Sequence, residues 1–199
     1  MPHDPVYSLR DPVGLFPLPN AVLLPGAILP LQVFEPRYRA MVRDALGQHR
    51  LIAMAYLKPG YEAYYHTNLA EIAPVVCVGR IREHVEVDVR YFINLVGLCR
   101  ARVRSEDRDG EYRLARLDPL PAASNAITTG FEHEIRRSFE QTLASPLWTA
   151  LGGIDKCRTA LRGLVPLEPL LDLTAATLLP ADAVEIRQRL LEEADVLQR

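Results

Sequence analysis

The chain has 199 residues, of which 49% are hydrophobic and 24% charged, and its formal net charge is -2. That length suits one large domain or two small ones, and the composition supplies an ordinary globular core. Near-neutrality argues against a surface built throughout for nucleic acid or anionic lipid, and no run approaches the ~20 apolar residues of a membrane span.

The opening MPHDPVYSLRDP lacks the basic-then-apolar order of a secretory leader. Cys77, Cys99 and Cys157 make an odd count without metal-ligand spacing. A cytoplasmic location is the resulting expectation. The prolines of LFPLPNAVLLPGAILPLQVFEP lie too close together for a helix. Pro25-Gly26 signals a turn, and Ile28 to Phe34 passes as a strand. Pro36 suits a first helical position. After it Tyr38, Met41, Val42, Ala45 and Leu46 recur at helical spacing until Gly47. Arg37, Arg39, Arg43 and Asp44 fall on the outer face of that helix.

Leu51 to Leu57 reads as a buried strand ending at Lys58-Pro59-Gly60. From Pro74 to Arg104 the pattern predicts successive strands: VVCVGRI, then Val85, Val87 and Val89 alternating with charge, then YFINLVGL. CRARVRS places Cys99, Ala101 and Val103 on one face and Arg100, Arg102 and Arg104 on the other. Asp109-Gly110 signals a hairpin leading into EYRLARL.

LDPLPAASNA has the composition of a linker. We divide the chain there into a β-rich part, 1–121, with charge +1, and a helical part, 122–199, with charge -3. Phe131, Ile135, Phe139 and Leu143 step by four along a helix face. Ser145-Pro146 opens a short helix with Trp148 and Leu151, and Asp155 caps another carrying Cys157, Leu161 and Leu164. Glu168-Pro169 starts LLDLTAATL, which Pro180 ends. A last helix turns Ile186, Leu190, Ala194 and Leu197 inward, with Glu185, Arg189, Glu192 and Glu193 outside. The whole predicts an α+β protein: a β-barrel-type N-terminal part followed by a C-terminal α-helical bundle.

No credible catalytic centre emerges. The phosphate-loop, dinucleotide and nucleophile-elbow patterns are missing, and Lys58 and Lys156, the only lysines, read as solvated. Glu132-His133-Glu134 lacks the second histidine of a zinc helix, so no metal or cofactor is expected. His66, amid Tyr61, Tyr64 and Tyr65, marks an aromatic loop that serves either recognition or the rim of the core. Arg100, Arg102 and Arg104, extended by Arg113 and Arg116, form the one basic concentration. Glu106, Asp107, Asp109 and Glu111 dilute it within a Debye length of about 8 Å.

LFPLPNAVLLPGAILPLQVFEPRYRAMVRDAL resembles the opening of the LON N-terminal domain, the substrate-binding portion of ATP-dependent Lon proteases. VGRIREH followed by YFINLVGLCRARV is similar to the family's second signature, with Gly79, Gly97 and Arg100 matching. DLTAATLLPADAVEIRQRLLEEADVLQR resembles its helical part. The resemblance implies a PUA-like β-domain followed by a helical bundle. It also implies a non-catalytic module that binds unfolded or exposed polypeptide segments or a partner protein, since the chain reaches Arg199 without Lon's ATPase or serine–lysine peptidase. The candidate contacts are Phe34, Glu35, Arg37, Tyr38, Tyr61, Tyr64 and Tyr65; an ion pair of Glu35 or Arg37 that fixes the strand–helix corner is the competing role. The alternatives are RNA binding through Arg100, Arg102 and Arg104, and an enzyme assembled around His66 or His84 with carboxylates.

Overall fold

A computed structural model describes residues 9–120, 129–144, 154–163 and 165–193. They form two compact units, Met1–Leu120 and Pro121–Arg199. The architecture is α+β, as the residue patterns predict.

In the first unit the chain runs β1 (Val13–Leu18), β2 (Ile28–Val33), α1 (Pro36–Leu46), β3 (Leu51–Tyr56), β4 (Val75–Val87), β5 (Arg90–Asp107) and β6 (Leu114–Pro119). The order across the sheet is β2-β5-β4-β3-β1-β6, and β6 pairs with β5 as well as β1. The hydrogen-bonded circuit β5–β4–β3–β1–β6 therefore returns to β5, while β2 lies outside it. Pro17 is tolerated in β1 because β6 reaches only Val13 and Gly14, which leaves that side of β1 unpaired at the proline.

One face of the circuit gathers Leu15, Ala53, Val76, Val78, Ala101 and Leu117 into a buried cluster. The other face is covered by Leu23 and Leu24 and by α1, which lies against β1, β3 and β5. Leu51–Tyr56 is buried at every position because both of its faces are covered. Each fully buried leucine or isoleucine here contributes about 1.5–3 kcal/mol.

Several local expectations are refined. The runs VVCVGRI and Val85–Val89 join into one 13-residue strand, and YFINLVGL with CRARVRS form one 18-residue strand. Gly47 ends α1 in the right-handed region, and Arg50 is the residue with positive φ (61°) that turns the chain into β3. Asp109-Gly110 lies within a six-residue connection, 108–113, because Tyr112 and Arg113 turn aside to bond Asp44 and Glu106 before β6 begins.

In the second unit α2 (Thr129–Leu143), α3 (Ile154–Arg162), α4 (Leu167–Leu178) and α5 (Val184–Glu192) are described. Leu143, Cys157, Leu161, Leu167 and Leu170 form their buried cluster, with Ile135 and Phe139 packed against it. The Ser145-Pro146 helix with Trp148 and Leu151, together with Leu164, Ala194 and Leu197, lies outside the described residues, as does the side chain of Phe131. The stripe proposed for α5 is corrected: Ile186 is exposed, and Gln188 and Leu191 are buried. Arg187 sets this rotation by donating to the carbonyls of Ala176, Leu179 and Pro180, which holds its face of α5 against the end of α4.

Pro25-Gly26 forms the expected turn, with Gly26 at φ 76° and Ala27 N–H donating to Leu24 O at 3.1 Å. The turn presses onto β5 at Gly97, which exchanges bonds of 2.9 Å with Gly26 and Ala27. A Cβ at Gly97 would collide with the Leu24 carbonyl. Gly97→Ala should therefore cost about 1–3 kcal/mol of stability in urea denaturation. Wild-type stability in that variant would contradict the close approach.

Candidate binding surface

The strand–helix corner and the aromatic loop, separate in sequence, meet around one carboxylate. Tyr65 Oη donates to Glu35 Oε1 at 2.7 Å, while Arg37 Nη2 donates to Glu35 Oε2 at 3.0 Å and to Tyr65 O at 2.7 Å. The Arg37 guanidinium stands 4.3 Å from the centre of the Tyr38 ring, a cation–π contact. Tyr38 packs in turn on Phe16 at 4.3 Å. Glu35, Arg37, Tyr38 and Tyr65 thus serve one another. Arg37, predicted on the outer face of α1, is corrected to half-buried because these bonds draw it toward the loop. Tyr61 bonds Glu71. Phe34 and Tyr64 remain open to solvent.

A second surface arises from a shift in strand phase. Ile81 pairs with Leu95 and Glu83 with Asn94, so Arg82 is an extra residue, a bulge in β4. Without it, Val85 and Val87 would follow Cys77, Gly79 and Ile81 onto the covered face. With it, His84 and Glu86 stand opposite the buried Ile93 and Tyr91, and Val85 stands opposite Phe92 on the bare face. Phe92 also faces Gln32 of β2. The result is an outer face on β2–β5–β4 with Ile28 57%, Val85 60%, Val87 48% and Phe92 43% exposed. Pro30, Gln32, Val85, Phe92 and Asn94 line a shallow depression of about 400 Å³ there. Phe34, also 60% exposed, continues the even-numbered row Ile28, Pro30, Gln32 one residue past β2. The alternation of valines with charge marks a strand but not which face meets water, so nothing in the sequence singles out Ile28, Pro30, Val85, Val87 and Phe92 as a surface.

The arginine strand is corrected. Leu98 is an extra residue between the Val78–Cys99 and Gly79–Gly97 pairs, and beyond it Arg100 stands across from Cys77 on the covered face. Arg100 is only 3% exposed, and Arg113 is buried against Glu106 and the Ala70 carbonyl. Arg102, Arg104 and Arg116 stay exposed, with Arg104 donating to Asp118 at 2.9 Å. The intended basic row is therefore broken by burial and by acidic neighbours.

The histidines do not converge either. His66 lies 4.0 Å from Glu35 at the corner, whereas His84 meets Arg50 at 3.2 Å beside β3. Cys77 is buried and Cys99 half-buried, and neither is in a disulfide. Among the described residues no group of three or more His, Cys, Asp or Glu side chains is placed to hold a metal, and no helix is long and apolar enough to cross a membrane.

The family model of the ATP-dependent protease La (LON) substrate-binding domain matches residues 12–199. The chain belongs to that family. Lon protease 2 of Sorangium cellulosum (strain So ce56) is 29% identical to this LON chain over 205 residues, covering 95% of the chain and 23% of the longer protein. The chain therefore spans about a quarter of that relative. Among solved structures, the N-terminal domain of Mycobacterium avium complex Lon protease superposes with a TM-score of 0.68 at 14% identity, covering 94% of this chain and 93% of the other. A Lon N-terminal domain protein from Xanthomonas campestris gives 0.61 at 22% identity, covering 94% and 92%. These two likenesses establish the shared fold.

The corner of the LON chain has a pH signature. Burial pushes the Tyr38 phenol up to about 12, and burial together with the bond to Glu35 raises that of Tyr65. Their contribution to stability is complete below the unfolded value of about 10 and is lost as pH rises through the folded values. Alkaline unfolding should therefore steepen above pH ~10. Tyr65→Phe should lower neutral-pH stability by about 1–2 kcal/mol and make that alkaline loss shallower. Denaturant titrations across pH, with phenolate absorbance, would measure both. An unchanged slope in Tyr65→Phe would exclude the buried-phenol account.

Proposed function

We propose that this chain is a polypeptide-binding module that holds exposed apolar segments of other proteins on the outer face of β2–β5–β4 and performs no chemistry on them. The observation that carries this reading is the cluster Ile28, Val85, Val87 and Phe92, four large apolar side chains left in water on one face of a sheet whose other face is covered. A domain able to bury them gains by leaving them open only when something else covers them. The family's description as a substrate-binding domain, and the protease name of the Sorangium relative, point to polypeptide as the covering partner.

Phe34 and Tyr64 extend the contact area at the corner. Glu35, Arg37, Tyr38 and Tyr65 hold it in shape, and Tyr61 anchors the loop. Apolar burial at ~25 cal/mol per Å² drives the association and ordering of the bound segment opposes it, so the expected affinity is modest. The non-catalytic part of the proposal is supported by the dispersal of His66 and His84 and by the mutual pairing of the corner's polar groups. The broken arginine row lends little to the RNA alternative.

Titration of the chain with a reduced, carboxymethylated protein that cannot refold should give binding that added salt hardly weakens. Val85→Asp and Phe92→Asp should each lower affinity by about tenfold or more, since loss of 1.5–3 kcal/mol of burial corresponds to that factor. Both positions are exposed, so the thermal stability of the variants should stay within about 0.5 kcal/mol of wild type. Absence of binding to the unfolded protein would sink the proposal. Steeply salt-dependent binding of single-stranded RNA would favour the arginine reading instead.

A further inference from the structure

The way β2 ends the sheet says how a polypeptide can be held there; the inference rests on the polypeptide-binding reading above. β2 pairs with β5 alone among the described strands. An unpaired edge is ordinarily a place where an incoming segment adds as a further strand through main-chain bonds. The phase of the β2–β5 ladder fixes what this edge offers. Gly97 N–H donates to Ala27 O, and the register continues Ile28↔Val96, Leu29↔Leu95, Pro30↔Asn94, Leu31↔Ile93.

Antiparallel pairs alternate between bonded and non-bonded, so Leu29, Leu31 and Val33 spend their main-chain groups on β5. Ile28, Pro30 and Gln32 direct theirs to the open edge. The middle position of that edge is a proline, which has no N–H to give. Two donors remain, four residues apart, with the pyrrolidine ring between them. The side chains of the same three residues belong to the exposed row that runs on to Phe34 and borders Phe92.

We infer that this LON surface takes its polypeptide across the sheet through side chains, with Pro30 closing the β2 edge to strand addition, and so accepts apolar segments whose own backbone cannot donate hydrogen bonds. The ligand class is therefore apolar polypeptide selected by side-chain content with little regard to main-chain conformation, proline-interrupted segments included. Grip of this kind is tolerant of sequence, because no pairing register has to be met.

Two synthetic peptides with identical apolar side chains test this against the intact chain. One carries ordinary amides; the other is N-methylated at alternate residues, which removes the donors a strand would need. We expect the two affinities to agree within about threefold and to fall together by about tenfold in Phe92→Asp. A methylated peptide bound more than tenfold more weakly than its parent would overturn the inference while leaving polypeptide binding intact. Failure of both peptides would instead strike at the binding reading itself. Pro30→Val, which restores the missing donor, should strengthen binding of the ordinary peptide selectively. An equal response of both peptides to that substitution would show that the proline does not close the edge and would also overturn the inference.

Discussion

Two extra residues, Arg82 in β4 and Leu98 in β5, determine what the longest strand pair of the molecule shows to water. A single unmatched residue reverses the faces of everything beyond it, because side chains alternate with a period of two. Beyond Arg82 the reversal carries Val85 and Val87 away from the covered side and sets Val85 beside Phe92. Beyond Leu98 it carries Arg100 onto the covered side across from Cys77. The first bulge thus makes an apolar surface, and the second sets Arg100 on the face of Cys77 while Val78 and Ala101 keep to the buried cluster.

α1 makes the asymmetry permanent. Its position depends on the corner, where Glu35 accepts from Tyr65 with one oxygen and from Arg37 with the other, and where Tyr38 enters the core against Phe16. Exposed ion pairs contribute little to stability, but this one is half-buried, geometrically fixed and linked to a loop about thirty residues away in sequence. With α1 packed against β5 near Tyr91, the side that carries Val85 and Phe92 is the one these strands leave open among the described residues.

Legibility in the sequence follows the same physics. β3 and α1 are readable because their signals are local: an unbroken apolar run between turn residues, and a proline at a first helical position followed by helical spacing. The FEPRY corner is half readable. Its residue types announce an ion pair, but the third partner, Tyr65, comes from a distant loop and only the fold brings it in. The α5 stripe holds at the half-buried Leu190 but not at Ile186, because Arg187, polar by composition, spends its guanidinium on three carbonyls at the end of α4 and turns its own face inward.

The bulges mark where local reading ends. Nothing in VGRIREHVEV distinguishes an extra residue at Arg82 from a regular strand, since the valine alternation looks the same in either phase. Only the pairing with Leu95 on one side of the gap and Asn94 on the other discloses it. Proline at position 30 shows the converse. In isolation it weakens the case for a strand; within the ladder it must face the open edge, because any other register would deprive β5 of a donor. A residue that argues against a strand in the sequence thereby becomes, in the fold, the one that fixes the ladder's phase and places Ile28, Gln32 and Phe34 in line with Phe92.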